Sequence, residues 1–245
     1  MNKSFGFSRE EFSLLCNVYN IMELVCFEQK EGSVAENRTV DEIYHQTLFQ
    51  LCRKEYINVE GSDFRVSEEI KGIFSVLKNS DLVVTTFCRE EDVPGFCLYF
   101  SKNTGVVVMR EGSRAGEYVK VELLKKGEAA EFIKTSGMLM MESMGTELSA
   151  ECEVYEVVGV QLEEFLQWGD LETADSLRDI PEIVTLFKLQ NPATALKTGY
   201  IALVKQPMQD KILVVDAEGI RHFAYSEHMV MELFQEMWEE ENDIG

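Results

Sequence analysis

The chain has 245 residues, 45% of them hydrophobic and 10% aromatic, with a formal net charge of −21. That length and apolar content suit a globular protein with a sizeable core rather than a disordered one, and no apolar run reaches the roughly 20 residues that a membrane-spanning helix needs. The charge disfavours nucleic acid, which rewards clustered Lys and Arg, and residues 146–245 alone hold 6 basic against 21 acidic side chains.

Six cysteines (Cys16, Cys26, Cys52, Cys88, Cys97 and Cys152) are scattered without CxxC spacing. They read as reduced, mostly buried thiols and offer no zinc site. The first six residues lack the apolar core of a signal peptide, so a cytoplasmic protein without membrane association is expected.

Taken in order, the chain opens with a helix. Ser8 and Glu11 form an S-x-x-E capping box, and Phe12, Leu15, Cys16, Tyr19, Met22 and Cys26 fall on one helical face, so the helix is expected to end within 29–37. A second box, Thr39 with Glu42, opens another helix with Ile43, Leu48, Leu51 and Cys52 as its apolar stripe. Residues 56–59 and 64–66 flank a turn and predict a short hairpin. Ser67 then caps a third helix carrying Ile70, Ile73, Phe74 and Leu77. Helices, a two-stranded wing and a further helix make residues 1–80 winged-helix-like.

From 82 the pattern turns to strands. Runs at 82–88, 96–100, 106–109 and 118–123 predict a β-meander, followed by a helix holding Ala129, Phe132 and Ile133. The same order returns at 183–187, 200–204, 212–215 and 220–225, closed by a helix over 227–238. Loops at 89–94 and 190–195 separate the first two strands of each set, and both carry a proline. A strand over 151–158 and short helices at 160–168 and 171–177 are expected between the sets. The fold class is therefore α+β, an N-terminal winged-helix-like segment followed by two pseudo-repeated antiparallel β-meander-plus-helix units. Its parts are 1–80, 81–145, a helical linker at 146–182, and 183–245, packed as one pseudo-twofold domain.

Chemistry is hard to find. His45, His222 and His228 are the only histidines, and no P-loop, G-x-S-x-G, G-x-G-x-x-G or H-E-x-x-H motif occurs. Neither a catalytic set nor a cofactor or metal site is expected. DNA binding through the wing is disfavoured: the helix at 40–54 opens with Asp41 and Glu42, and its basic Arg53 and Lys54 come at the end away from the usual base contacts. The methionine-rich stretch Met138, Met140, Met141 and Met144, with the acidic Glu239 and Glu240, is the candidate protein-binding surface, because methionine adapts to varied partners.

The order of elements over residues 8–240 resembles the EspG family of type VII (ESX) secretion-associated cytosolic proteins. The two strand sets, 82–123 and 183–225, with the helices after each, carry that resemblance. It implies a non-enzymatic adaptor or chaperone that holds a helical secretion substrate, and it transfers no site residues. A winged-helix transcription regulator with a ligand-sensing β domain is the alternative, and an enzyme with an unrecognised site is the third reading.

Overall fold

A computed structural model describes residues 3–25, 39–60, 63–90, 95–101, 105–111, 118–125, 128–139, 162, 164–165, 169, 173–192, 194–207 and 209–239. They build an α+β fold of helices and antiparallel strands. Two compact units divide the chain, Met1–Val83 with Phe96–Lys126, and Val84–Gly95 with Gly127–Gly245. This partition differs from the four successive segments expected, because the chain changes units inside a strand.

Unit one begins with β1 (Ser4–Ser8) and α1 (Arg9–Val18), then α2 (Val40–Arg53), the hairpin β2 (Ile57–Glu60) and β3 (Asp63–Val66), and α3 (Glu68–Lys78). Strand β4 (Leu82–Cys88) starts here and ends in unit two. Strands β5 (Cys97–Ser101), β6 (Gly105–Glu111) and β7 (Tyr118–Leu124) complete the unit, and its strands lie side by side in the order β1-β7-β6-β5. Alternation explains the packing. Phe5 and Phe7 of β1 face Val121 and Val119 of β7 in register, and all four are buried. Phe7, Phe12 and Phe74 meet as a ring cluster with centroids 5.4–6.2 Å apart, which draws β1, α1 and α3 together.

Both expected capping boxes form. The Ser8 and Thr39 hydroxyls accept from the N–H of Glu11 and Glu42, and those carboxylates accept from the N–H of Ser8 and Thr39. Ser67 precedes α3 in an extended conformation, but its side chain makes no capping bond. Helix α1 is shorter than its apolar spacing predicts. Asn20 adopts φ +55°, and the Ile21 N–H donates to the Cys16 carbonyl, a left-handed C-terminal closure that stops the helix at Val18. Met22, expected on the buried face, is consequently 80% exposed. Strand β1 was not expected at all.

Unit two contains α4 (Ala129–Thr135), a 3-10 helix (Ala174–Asp179), β8 (Ile183–Asn191), β9 (Thr194–Val204), β10 (Lys211–Asp216), β11 (Gly219–Ala224) and α5 (Glu227–Glu239). Its strands run in the order β4-β8-β9-β10-β11. Leu162, Phe165, Leu177 and Ile180 pack with Leu186, Tyr200, Ala202, Leu213 and Val215 on one face. The alternate residues Phe187, Ile201, Ile212 and Val214 are buried on the other, where the Phe187 ring meets Phe234 of α5 edge-on at 5.0 Å. Covering on both faces explains why β8, β10 and the second half of β9 read as apolar runs.

The loop expected at 190–195 is much tighter. β8 and β9 pair as far as Asn191 with Thr194, with a register irregularity at Gln190 and Asn191, so only Pro192 and Ala193 join them. A proline fits at that turn, where no ladder bond is asked of it. The amphipathic helix expected at 171–177 is the 3-10 helix at Ala174–Asp179. The expected strand at 151–158, the polar stretch 29–37 and the tail 240–245 lie outside the described residues.

Candidate protein-binding surface

Within the described residues every exposed large hydrophobic side chain belongs to unit one: Val18, Met22, Val40, Tyr44, Phe49, Val59, Phe64 and Tyr118. Single exposed apolar residues are ordinary, but groups of them mark interaction surfaces. Two of the elements show how this exposure arises.

On α2, Val40, Tyr44, Thr47 and Leu51 are spaced four, three and four apart and share one face. Thr47 and Leu51 are buried, whereas Val40 is 76% and Tyr44 43% exposed. The apolar stripe is therefore covered in the second half of the helix and bare in the first. Phe49 adds a further exposed ring elsewhere on the helix. The hairpin repeats the pattern. Ile57 pairs with Val66 and Val59 with Phe64, and period-two alternation puts all four on one side. Ile57 is buried next to the end of α2, while Val59 and Phe64 are exposed toward the tip. Asp41 and Glu42 lie in the first turn of α2, and Asp63 stands at the start of β3, so carboxylates border the apolar groups.

The base of this surface is fixed by one cation. Lys54, the C-cap of α2, places Nζ 2.5 Å from Glu11 Oε2 and 3.0 Å from the Gly6 carbonyl oxygen. Its ammonium also lies 5.8 Å from the Tyr56 ring centroid and 6.0 Å from that of Tyr118. Glu11 is buried, so Lys54 neutralises a charge taken out of water. Lys54 is thus engaged inside the fold, which removes one of the two basic residues on which a DNA contact would depend.

The sequence-based candidates are placed elsewhere. Met138 is fully buried, its N–H donates to Ser136 Oγ, and its carbonyl accepts from the buried Thr185 hydroxyl at 2.9 Å. Its side chain is core rather than surface, a correction to the expected patch. Met140, Met141, Met144 and Glu240 lie outside the described residues, and Glu239 is the last residue of α5. The exposed side chains of α2 and the hairpin were missed. A signal existed: Val40, Ile43, Tyr44, Leu48 and Phe49 wrap too much of α2 to be buried on a single face.

Among the described residues no group of three His, Cys, Asp or Glu side chains is placed to hold a metal ion. His228 makes an exposed i,i+4 contact with Glu232 at 3.3 Å. Burial pushes the Cys16 thiol up to about 12, which leaves it a protonated packing residue and not a nucleophile. In unit two, Asp175 accepts from Lys188 and from the buried Tyr200 hydroxyl, tying the 3-10 helix to β8 and β9. The hydrogen bond from Lys188 holds the Asp175 carboxyl below its ordinary range. No described helix is long and apolar enough to cross a membrane.

No protein-family model matches the sequence, and no curated protein matches it either. Solved structures do, and they show a fold similar to that of a type VII secretion system chaperone. One is Mycobacterium tuberculosis EspG5, solved in complex with the PE25–PPE41 dimer. It matches with a TM-score of 0.51 and 11% sequence identity over 93% of this chain and 93% of that one. At that identity the likeness is one of fold, and at that level the architectural resemblance read from the sequence holds.

Proposed function

We propose that this protein is a non-enzymatic cytosolic adaptor or chaperone that binds a helical protein, a type VII secretion substrate in the first instance. The observation that carries the reading is the set of exposed apolar side chains on α2 and the β2–β3 hairpin, Val40, Tyr44, Phe49, Val59 and Phe64. The chaperone fold supports it, since the similar protein EspG5 is described with a bound PE25–PPE41 dimer. An amphipathic helix would bury its apolar stripe on this surface, and the acidic field would favour encounter with a partner bearing basic groups. The placement of β2 and β3 between α2 and α3 supports the winged-helix-like description, here as a protein-binding wing. The order of four strands and a helix, found at β4–β7 with α4 and again at β8–β11 with α5, supports a duplicated origin. Met140, Met141 and Met144, with Glu239 and Glu240, are proposed as a second contact zone.

The test is co-expression with a helical secretion substrate and co-purification. Tyr44→Glu with Phe64→Glu should abolish the complex while leaving the melting temperature within a degree or two, because both side chains are exposed. A complex that survives both substitutions would overturn the assignment of this surface. Loss caused only by Met140→Glu would move the contact to the methionine-rich stretch.

A further inference from the structure

Two strands with an outer edge, one in each unit, treat their backbone differently. On β1, the Gly6 N–H donates to the Tyr56 hydroxyl at 3.2 Å, and the Gly6 carbonyl accepts from Lys54 Nζ at 3.0 Å. Side chains from the end of α2 thus seal that edge against another strand. On β11 no such seal exists among the described residues. It is the last strand of its order and pairs with β10 alone.

The register shows which groups point outward. Asp216 and Gly219 close a two-residue hairpin, and the bond from the Tyr225 N–H to the Asp210 carbonyl at 2.9 Å sets the same phase at the far end. In an antiparallel ladder hydrogen-bonded pairs alternate. Gly219, Arg221 and Phe223 therefore bond to β10, and Ile220, His222 and Ala224 turn their N–H and C=O groups away from it. The usual guards of an edge are missing: the strand has no proline, its register has no bulge, and its one arginine is tied back to Asp216 at 2.6 Å. Every residue of β11 is exposed or half-buried.

Charge indicates what would occupy the edge. Arg221 lies in the field of Asp216, Glu218 and Glu236, three carboxylates around one guanidinium. Glu227 begins α5 three residues after the strand and is exposed. A second copy of the chain, itself at −21, would bring another such cluster against this one. A basic segment would not.

We propose that the free edge of β11 takes an extended, lysine- or arginine-bearing segment of another protein by strand addition. Main-chain bonds to Ile220, His222 and Ala224 supply the affinity, and the carboxylates around Arg221 select positive side chains. This edge is separate from the apolar surface of unit one, and the test below contains no secretion substrate, so either reading can fail without the other.

The probe is a short blocked peptide alternating lysine with valine or threonine, titrated into the full chain with amide hydrogen exchange as the readout. Exchange at Ile220, His222 and Ala224 should slow, while Arg221 and Phe223, already bonded to β10, stay as they were. His222→Pro removes an outward N–H at a position where an edge strand accepts proline, and it should weaken binding by about tenfold or more with the melting temperature unchanged. Glu218→Lys with Glu236→Lys alters exposed side chains only and should weaken the lysine peptide likewise. A glutamate peptide of the same pattern should not bind. No slowing at millimolar peptide, equal slowing by the glutamate peptide, or slowing that persists in both variants would overturn the proposal. Concentration-dependent self-association lost in His222→Pro would also overturn it, in favour of a second copy.

Discussion

Replacing Lys54 by methionine isolates the contact that joins the start of the chain to the end of α2. Methionine keeps most of the stem and its packing against Tyr56, but it leaves Glu11, 4% exposed at the side chain, without its cation. Stranding one member of a buried pair costs about 3–5 kcal/mol. Two features reduce that figure here. Lys54 is 28% exposed, so solvent already screens the pair. The Ser8 N–H still donates to Glu11 at 2.7 Å, and the carboxylate sits in the first turn of α1, where the helix dipole favours it. We expect a loss of about 2–3 kcal/mol, read by urea denaturation at neutral pH, or a melting temperature lowered by about 5–10 °C for a chain of this size. Glu11→Gln combined with Lys54→Met should recover a large part of the loss, because a neutral amide there strands no charge. A single-variant cost under about 0.5 kcal/mol, or additive effects in the double-mutant cycle, would refute the reasoning.

Two other perturbations test different parts of the fold. Glu55 holds φ +59° just after α2, with the Tyr56 N–H bonded to the Leu51 carbonyl, so Glu55→Gly should stabilise the protein by about 0.5–1 kcal/mol while Glu55→Ala gains little; urea midpoints decide between them. Asp175 is held below its ordinary range by Lys188, so it stabilises the fold above the unfolded carboxylate value near 4 and loses that effect as pH falls through its lower folded value. The melting temperature of Asp175→Asn should therefore lie below that of the unmodified protein at pH 7, and the difference should close below about pH 4; a constant difference would show that charge is not the cause.

Much of the fold was legible because local chemistry and burial agreed. Both capping boxes were readable, since a hydroxyl and a carboxylate three residues apart can satisfy two helix N–H groups whatever surrounds them. Strands β5, β8 and β10 were readable because two-sided burial leaves long apolar runs, and β7 because its alternation marks one covered face. Strand β1 was overlooked because five residues, SFGFS, run straight into a capping box, and the strand it pairs with, β7, lies more than a hundred residues later. The length of α1 was misjudged because Met22 sits at the right spacing, while the stop depends on the conformation of one asparagine. Burial of Met138 was hidden for a related reason: its pairing with Thr185 links positions 47 residues apart. The exposed half of α2 was harder still, since a helical period identifies a stripe but not how far along the helix the neighbouring core extends.

The change of units within β4 bears on the order in which the protein can fold during synthesis. Every residue of unit one has left the ribosome once Lys126 has, whereas unit two takes its early piece from Val84–Gly95 and must wait for strands and a helix that end at Glu239. That twelve-residue piece is thus made long before β8 exists to receive it. Cutting the gene near residue 80 would divide unit one, and cutting it near 146 would divide unit two, so isolated halves are the wrong reagents for studying this protein and the full chain is the right one.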